Sequence, residues 1–428
     1  MQILKTLEER GLIHDVSHPD ALAKLLDSEK VVFYCGFDPT ADSLHLGSML
    51  PLLVMRRLQR AGHTPIVILG TATGMIGDPS GKSAERKLLT EEEIEQNARG
   101  IEAQIKLFLA QSGDNAVIIE RNDSWTKNLS VIDFLRDVGK HFSVNMMMQK
   151  DSVRTRLADR EQGISYTEFS YMLLQAFDYL WLYQNRDCRL QIGGSDQWGN
   201  ITAGVDLIRR CTEVDAAQAF GLTFPLLTTA SGSKFGKTEA GAVWLDAKRT
   251  SPYKFYQYWV NTQDADVIRF IKLFTEIDGE ELEGLALKVE ARPQEREAQR
   301  RLAQILTDLV HSENETARAI QASRVLFGEK MSELDERTLL DIFSDVPSTS
   351  ILGQTLAAGL PFTDLLVQSG ACKSKGDAKR LIESGGAYLN NERISDAALN
   401  VTSDQLLHNK LLVIRSGKKQ YFLVNIES

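Results

Sequence analysis

Residues 30–61 read KVVFYCGFDPTADSLHLGSMLPLLVMRRLQRA, and the fold is decided by how this stretch divides. Its first six residues, Lys30 to Cys35, are β-branched, aromatic and apolar, the pattern of a buried strand. From Leu46 to Ala61 the residues Leu, Met and Val recur on one side, which predicts a helix. The connection from Asp38 to Ser48 therefore joins a strand end to a helix start. Backbone N–H groups and the positive end of a helix dipole meet there, where a phosphate could sit. His45 is a donor within reach of that position, and Gly47 has no side chain to keep a flat ring from the backbone. A lone His-x-Gly is more often an ordinary capped helix with a surface histidine, so the connection needs a second feature.

Outward from this stretch, strands and helices alternate. Pro65 to Leu69, Ala116 to Ile119 and Arg189 to Ile192 read as further strands; Thr167 to Tyr183 and Gln197 to Cys211 read as helices. Such alternation implies βαβ units and a parallel sheet, whose ligands bind at the carboxyl ends of the strands. From about 251 to 327 the strand signal stops and charged helical segments take over. Pro347-Ser348-Thr349-Ser350 reads as a linker. Beyond Pro361 come a short helix, a basic helix from Lys375 to Ser384, Gly385-Gly386, and strands at Ala387 to Leu389, Leu411 to Ile414 and Tyr421 to Val424. The expected organisation is an α/β, Rossmann-like parallel-sheet domain over 1–248 and an α-helical domain over 249–328. A linker over 329–360 and a small α+β domain over 361–428 follow.

Composition bounds the class. The 428 residues are 43% hydrophobic and 25% charged, as in globular chains of more than one domain. No apolar run approaches the ~20 residues of a membrane span. Met1 to Val16 reads as a polar amphipathic helix and lacks the basic-then-apolar layout of a signal peptide. Four cysteines, Cys35, Cys188, Cys211 and Cys372, show no paired spacing, which points away from a zinc site or disulfide framework and towards a reducing, cytoplasmic setting. The net charge of -9 is uneven: from Pro361 onward nine Lys/Arg stand against seven Asp/Glu, and the rest carries 40 against 51. An acidic body with a mildly basic tail suits a protein that grips RNA locally.

The second feature is Thr228 to Thr238, TTASGSKFGKT, rich in Gly and Ser with Lys234 and Lys237 three residues apart. A loop of this kind can fold over a triphosphate and set two ammonium groups against the charge that develops on a leaving pyrophosphate. It lacks the Gly-x4-Gly-Lys-Ser/Thr spacing of a Walker loop. Alone it reads as a solvated surface loop.

Together, PTADSLHLGS (39–48) and KFGKT (234–238) resemble the two signature motifs of class I aminoacyl-tRNA synthetases. The sequence between them resembles the tyrosyl-tRNA synthetases of bacterial type, on YCGFDPT (34–40), GMIGDPS (74–80), YMLLQAFD (171–178) and QIGGSDQWGN (191–200). The likeness covers essentially the whole chain. It implies ATP-dependent activation of tyrosine and its transfer to tRNA(Tyr), with ATP as substrate, Mg²⁺ as its counter-ion, no tightly bound cofactor and no metal site in the protein. It also implies a homodimer. Tyr34 and Asp178 would hydrogen-bond the phenolic hydroxyl of bound tyrosine, and Asp78, Tyr171 and Gln175 its ammonium. Gln197 would lie near the carboxyl group. Asp38, Gly194 and Asp196 would surround the adenylate, with Gly47 and Ser48 at the nucleotide. Thr40 and His45 would meet the phosphates, and Lys82, Arg86, Lys234 and Lys237 would neutralise the pyrophosphate.

Tyr171, Gln175 and Asp178 are spaced to share one helix face. Such a face is commonly solvated, but here Leu173, Leu174, Phe177 and Leu180 surround it, and a buried acid needs a partner. Trp198 reads as packing. Ser48 departs from the family pattern, which usually has His or Asn there; serine is shorter and carries no charge, so the contact to the nucleotide sugar is in doubt. The tail from Phe362 resembles the small RNA-binding module of the S-four ribosomal-protein type, with Lys373, Lys375, Lys379 and Arg380 suited to phosphate. Lys150, Arg154, Arg156, Arg160, Arg209 and Arg210 form other basic clusters, some of which the resemblance places on the tRNA acceptor arm. The rival readings are a tryptophanyl-tRNA synthetase, a non-catalytic RNA-binding relative, and an adenylyltransferase of coenzyme synthesis. The Tyr34 and Asp178 pair, the retained His45, Lys234 and Lys237, and the long tail respectively count against them.

Overall fold

The strand that starts the deciding stretch spans Val32–Phe37 and lies near the middle of a six-stranded sheet. In the computed structural model, which describes residues 2–80, 88–158, 163–212, 218–232, 235–238, 241–326, 331–344, 346–417 and 420–427, that sheet runs β1-β6-β5-β2-β3-β4. Its strands are β1 (Asp15–Val16), β2 (Val32–Phe37), β3 (Thr64–Leu69), β4 (Ile118–Arg121), β5 (Cys188–Gly194) and β6 (Phe220–Phe224). All pairings are parallel except that of β1 with β6. β3 is buried at every position, as expected of a parallel strand covered on both faces.

One face of the sheet packs Tyr34, Ile66 and Ile68 against Met172, Ala176, Tyr179 and Leu180 of helix Tyr166–Arg186 and Ala203 and Leu207 of helix Trp198–Thr212. Each fully buried Leu or Ile in such a layer contributes about 1.5–3 kcal/mol. Ser165 caps the long helix by accepting from the Glu168 N–H at 3.2 Å, and Asp187 ends it in the left-handed region at φ 51°. Helix Met49–Arg60 buries Leu50, Leu52, Leu53, Val54, Met55 and Leu58. Its Arg57, 4% exposed, donates to the carbonyls of Leu273 at 3.0 Å and Thr275 at 2.6 Å. Arg10 donates to Lys272 O at 3.0 Å and Thr275 O at 2.9 Å. Two arginines therefore satisfy the open carbonyls at the end of helix Asp264–Phe274 and fasten it to this unit.

The contacts divide the chain into two units, Met1–Arg249 with Gln263–Ala298, and Thr250–Thr262 with Gln299–Ser428. The helices of the stretch 249–328 are shared between them. In the second unit a five-stranded sheet runs β12-β11-β14-β15-β9. After a two-residue hairpin pair in the first unit (β7, Lys237–Thr238; β8, Gly241–Ala242), its strands are β9 (Ser348–Leu352), β11 (Ala387–Leu389), β12 (Glu392–Arg393), β14 (Leu411–Ser416) and β15 (Gln420–Glu427). β10 (Leu360–Pro361) and β13 (Asn400–Val401) form a separate antiparallel pair. One face packs Leu389, Leu412, Ile414 and Val424 on Phe362, Leu366, Ala378 and Ile382. Leu411, Val413 and Leu423 belong to a cluster with Ala322, Val325, Leu339 and Phe343.

Several segments differ from the sequence reading. The amino-terminal helix stops at Glu9, because Gly11 turns left-handed at φ 75°, and Asp15–Val16 then pairs on β6. β4 lies two residues later than read and includes Glu120 and Arg121, polar residues that an edge strand can expose. β6, FGLTF, is a strand that the sequence pattern does not announce, because it is short and interrupted by Gly221. Pro347 to Ser350 is not a free linker: Ser348–Leu352 pairs in parallel with β15, and its polar run reflects an edge position with only Ile351 buried. No helix of the described residues is long and apolar enough to cross a membrane.

Candidate active site

The strand order reverses between β2 and β5, and a cavity of about 690 Å³ opens at their carboxyl ends. Its walls include Tyr34 to Asp38 from β2 and its end, Gln191 to Gly194 from β5, and Tyr171, Gln175 and Asp178 from one face of helix Tyr166–Arg186.

At the inner end, the Tyr34 hydroxyl is buried and makes no hydrogen bond within the described residues; the Gln191 Oε1 atom shares that condition. A buried hydroxyl without a partner is costly and marks a place where a ligand can supply one. Nearby, Asp178 is 4% exposed. Its carboxylate accepts from Trp125 Nε1 at 2.7 Å and from Asn122 Nδ2 at 3.0 Å. Burial pushes Asp178 up to about 7, against those two hydrogen bonds and with the charge of Asp38 adding to the rise. Burial, with Asp178 beside it, holds the Tyr34 phenol well above its ordinary value.

Asn122 fills a junction. Its Oδ1 accepts from Ala72 N at 2.8 Å, and its Nδ2 also donates to Thr73 Oγ1 at 3.0 Å. Thr73 donates to Asp38 Oδ1 and Tyr171 to Asp38 Oδ2, both at 2.8 Å. One network thus joins the inner carboxylate to Asp38 at the end of β2. Across the cavity, Asp78 accepts from Gln197 Nε2 at 2.7 Å and Ser80 N at 2.9 Å. Asn200 donates to Gln175 Oε1 at 3.1 Å and Gln197 Oε1 at 3.2 Å, orienting both amides. Asn122, Trp125, Thr73 and Asn200 were not selected from the sequence. Asn122 could have been, as the residue directly after a parallel strand.

At the mouth, Thr40, His45, Gly47, Ser48, Gly194, Asp196 and Lys237 all line the cavity. A Cβ on Gly47 would stand 2.8 Å from the His45 ring and displace it, and one on Gly194 would stand 2.5 Å from the Asp196 carboxylate. The two sequence motifs meet here. Leu46 N donates to Val243 O at 2.9 Å, Val243 N to Gly236 O at 2.9 Å, and Leu245 N to Leu44 O at 2.8 Å. Gly236 is left-handed at φ 77°, and a Cβ there would press on Leu46 at 3.1 Å, so glycine is required on both counts. Lys82, Arg86 and Lys234 lie outside the described residues.

The comparisons with known proteins point to one family. Residues 26–328 match the model of the class I tRNA synthetases (W and Y), and residues 338–424 match a tyrosine–tRNA ligase SYY-like C-terminal domain. The chain is 50% identical to a tyrosine–tRNA ligase of Rhodopirellula baltica, over 99% of this chain and 96% of that one. It is 48% identical to tyrosine–tRNA ligase 1 of Bacillus subtilis, over 99% of each.

The chain belongs to the tyrosine–tRNA ligases of the class I synthetase family.

Among solved structures, a C-terminally truncated mitochondrial tyrosyl-tRNA synthetase of Aspergillus nidulans superposes with a TM-score of 0.69 at 31% identity, covering 76% of this chain and 94% of that one. A tryptophanyl-tRNA synthetase of Plasmodium falciparum, at 15% identity and TM-score 0.54, shares the fold.

The basic clusters of this synthetase family member divide under inspection. Arg156 is no candidate for RNA: it is buried, and its guanidinium pairs with Glu168 at 3.1 and 2.8 Å and donates to Gly163 O at 3.1 Å. Lys150 donates to Thr202 Oγ1 at 3.1 Å, and Arg209 and Arg210 both engage Asp206. Arg154 is exposed, and Arg160 lies outside the described residues.

Proposed function

We propose that the cavity binds L-tyrosine and ATP side by side, forms tyrosyl-adenylate with release of pyrophosphate, and then passes tyrosine to the terminal adenosine of tRNA(Tyr). The observation that carries the choice of amino acid is the Tyr34 hydroxyl, buried without a partner close to Asp178. A phenolic hydroxyl entering there donates to Asp178 and accepts from Tyr34. Phenylalanine would leave the Tyr34 hydroxyl unpaired and offer Asp178 no donor, and this enzyme family is itself the reference case for that kind of discrimination. An indole offers a single N–H and cannot serve both groups.

Asp78, Tyr171 and Gln175 present acceptors to the ammonium group, and Gln197 approaches the carboxylate. That carboxylate is already a nucleophile, so no general base is required. It attacks the α-phosphorus, and the bond to the leaving pyrophosphate breaks. Catalysis is then a matter of in-line placement and charge stabilisation. Thr40, His45 and Lys237 stand at the mouth for that purpose, with Lys82, Arg86 and Lys234 assigned to the same charge. Mg²⁺ enters with ATP as the counter-ion of its phosphates. The second unit supplies RNA contacts. Its sheet carries an aligned row, Arg393, Tyr388 and Arg415, with the Arg415 guanidinium 3.7 Å from the Tyr388 ring centre; Tyr421, next in line, packs on Phe343. Such a row suits a stacked base and its phosphate.

A homodimer is part of the same reading. Val131, Ile132, Leu135, Val144, Met146, Met148, Leu157 and Tyr166 are large apolar side chains left exposed within a short span of the first unit. Exposed apolar surface of that extent calls for a partner, and a second copy is the simplest one. The cytoplasm, where tRNA is charged, is the setting this reading requires.

The deciding experiment is amino-acid-dependent ATP–pyrophosphate exchange with tyrosine, tryptophan and phenylalanine in parallel. Exchange with tyrosine alone is expected. Exchange with tryptophan, or with none of the three, would sink the assignment.

A further inference from the structure

The residues between the two motifs and helix Asp264–Phe274 form a second layer behind the mouth of the cavity. Asp266 sits in the first turn of that helix and is 3% exposed. Its Oδ2 accepts from the backbone N–H of Ala230 at 2.8 Å, in the loop that leads to Lys237. Its Oδ1 accepts from Arg269 at 3.2 Å, and Arg269 in turn donates to the carbonyl of Thr228. One turn and two turns on, Phe270 and Phe274 bracket the Phe235 ring at 5.1 and 5.3 Å. Phe235 N donates to Leu227 O at 3.3 Å, closing the loop at its base.

The next residue, Gly236, leaves no room for a Cβ against Leu46; its carbonyl accepts from Val243 N, and the Val243 carbonyl accepts from Leu46 N. Lys237 therefore leaves the chain from a point held on one side by helix Asp264–Phe274 and on the other by the turn carrying His45. The helix is anchored in turn by Arg57, from the helix that continues that turn.

We propose that Asp266 is a positioning residue for activation: through the Ala230 N–H and the Phe235 clamp it sets where the Lys237 ammonium stands over the leaving pyrophosphate. Asp266 touches no substrate. A buried carboxylate holding a backbone N–H is a strong, directional tie. Displacement of a catalytic group by about 1 Å costs on the order of 100-fold in rate. This inference rests on the assignment of the cavity to tyrosine and ATP.

The test is a double-mutant cycle read in single-turnover formation of tyrosyl-adenylate, with tyrosine Kd measured alongside. D266A is expected to slow adenylate formation about 10- to 100-fold, with tyrosine Kd changed less than twofold and the thermal midpoint still above assay temperature. D266N, which keeps an acceptor for the Ala230 N–H, should recover most of the rate. In a K237A background D266A should cost almost nothing further, because the group it positions is gone. Full multiplicative loss in that background, or an unchanged rate for D266A alone, would overturn the proposal. If D266A does not fold, F235L goes through the same cycle, with the same two outcomes deciding. Absence of tyrosine-dependent exchange in the unaltered protein would instead refute the assignment of the cavity, so the two failures are distinguishable.

Discussion

Asp178 is the residue on which the proposed discrimination rests. Its carboxyl group, near 3.8 in a solvated carboxylate, is pushed up to about 7 by burial. A folded-state value above the unfolded one means that the protonated form is favoured on folding. The resulting stabilisation is complete below about pH 4 and is lost as the pH rises through about 7, with a ceiling of about 4 kcal/mol. Asp178→Asn should abolish that slope in thermal midpoint against pH. Tyrosine donates its hydroxyl to the ionised form, so its Kd should fall about tenfold between pH 6 and pH 8. Phenylalanine binding should show no such gain. A flat tyrosine profile with an intact stability slope would detach Asp178 from the ligand. Ser48 is the other residue at issue. It lines the cavity at the start of helix Met49–Arg60, and its side chain makes no cap bond. Ser48→His should lower the ATP KM or raise kcat several-fold by restoring a longer donor. Unchanged values for both would show that serine already serves.

At the scale of elements, strand register creates sites that no single residue announces. Arg393 faces Tyr388, Tyr388 faces Arg415 and Arg415 faces Tyr421 on four neighbouring strands, so all four side chains share a face. Their positions in the chain range from 388 to 421, and only pairing brings them into line. Tyr388→Ala should weaken tRNA binding by about 1–3 kcal/mol, the range for one stacked base, while leaving tRNA-independent pyrophosphate exchange unaltered. Filter binding and exchange measured on the same preparation check both halves. The basic helix Lys375–Glu383 contributes less free charge than its sequence suggested. Lys375 pairs with Asp364 at 2.6 Å, and Arg380 pairs with Asp377. By contrast, the helix Tyr166–Arg186 carries its Tyr171, Gln175 and Asp178 face as their spacing indicated, since a 3.6-residue period needs no tertiary information.

At the scale of the whole molecule, the exposed apolar residues between Val131 and Tyr166 have no covering element within the described residues of the chain. Substituting Val131 and Ile132, both more than 70% exposed, by Asp should convert a dimer to monomers in light scattering, with little loss of monomer stability. A protein that is monomeric before substitution would remove the homodimer from the reading. The arrangement of domains was only partly visible beforehand. A change from strands to helices near residue 250 is plain in the sequence, yet contacts assign Gln263–Ala298 to the first unit, because Arg10 and Arg57 cap helix Asp264–Phe274. Hydrophobic period reports that a helix exists and cannot report which core it joins.

What the sequence determined by itself is whatever depends on short range: the strand–turn–helix of residues 30–61, the helix face of Tyr171, Gln175 and Asp178, and the two motifs whose pairing identified the family. What only the tertiary structure decided is whatever depends on partners distant in the chain. Asn122 and Trp125 hold Asp178 across more than fifty residues, Arg156 spends its charge on Glu168, and Asp266 reaches back to Ala230. The reason is physical. Backbone preference and periodicity are local, whereas the cost of burying a polar group is met by whichever partner the fold brings within about 3 Å.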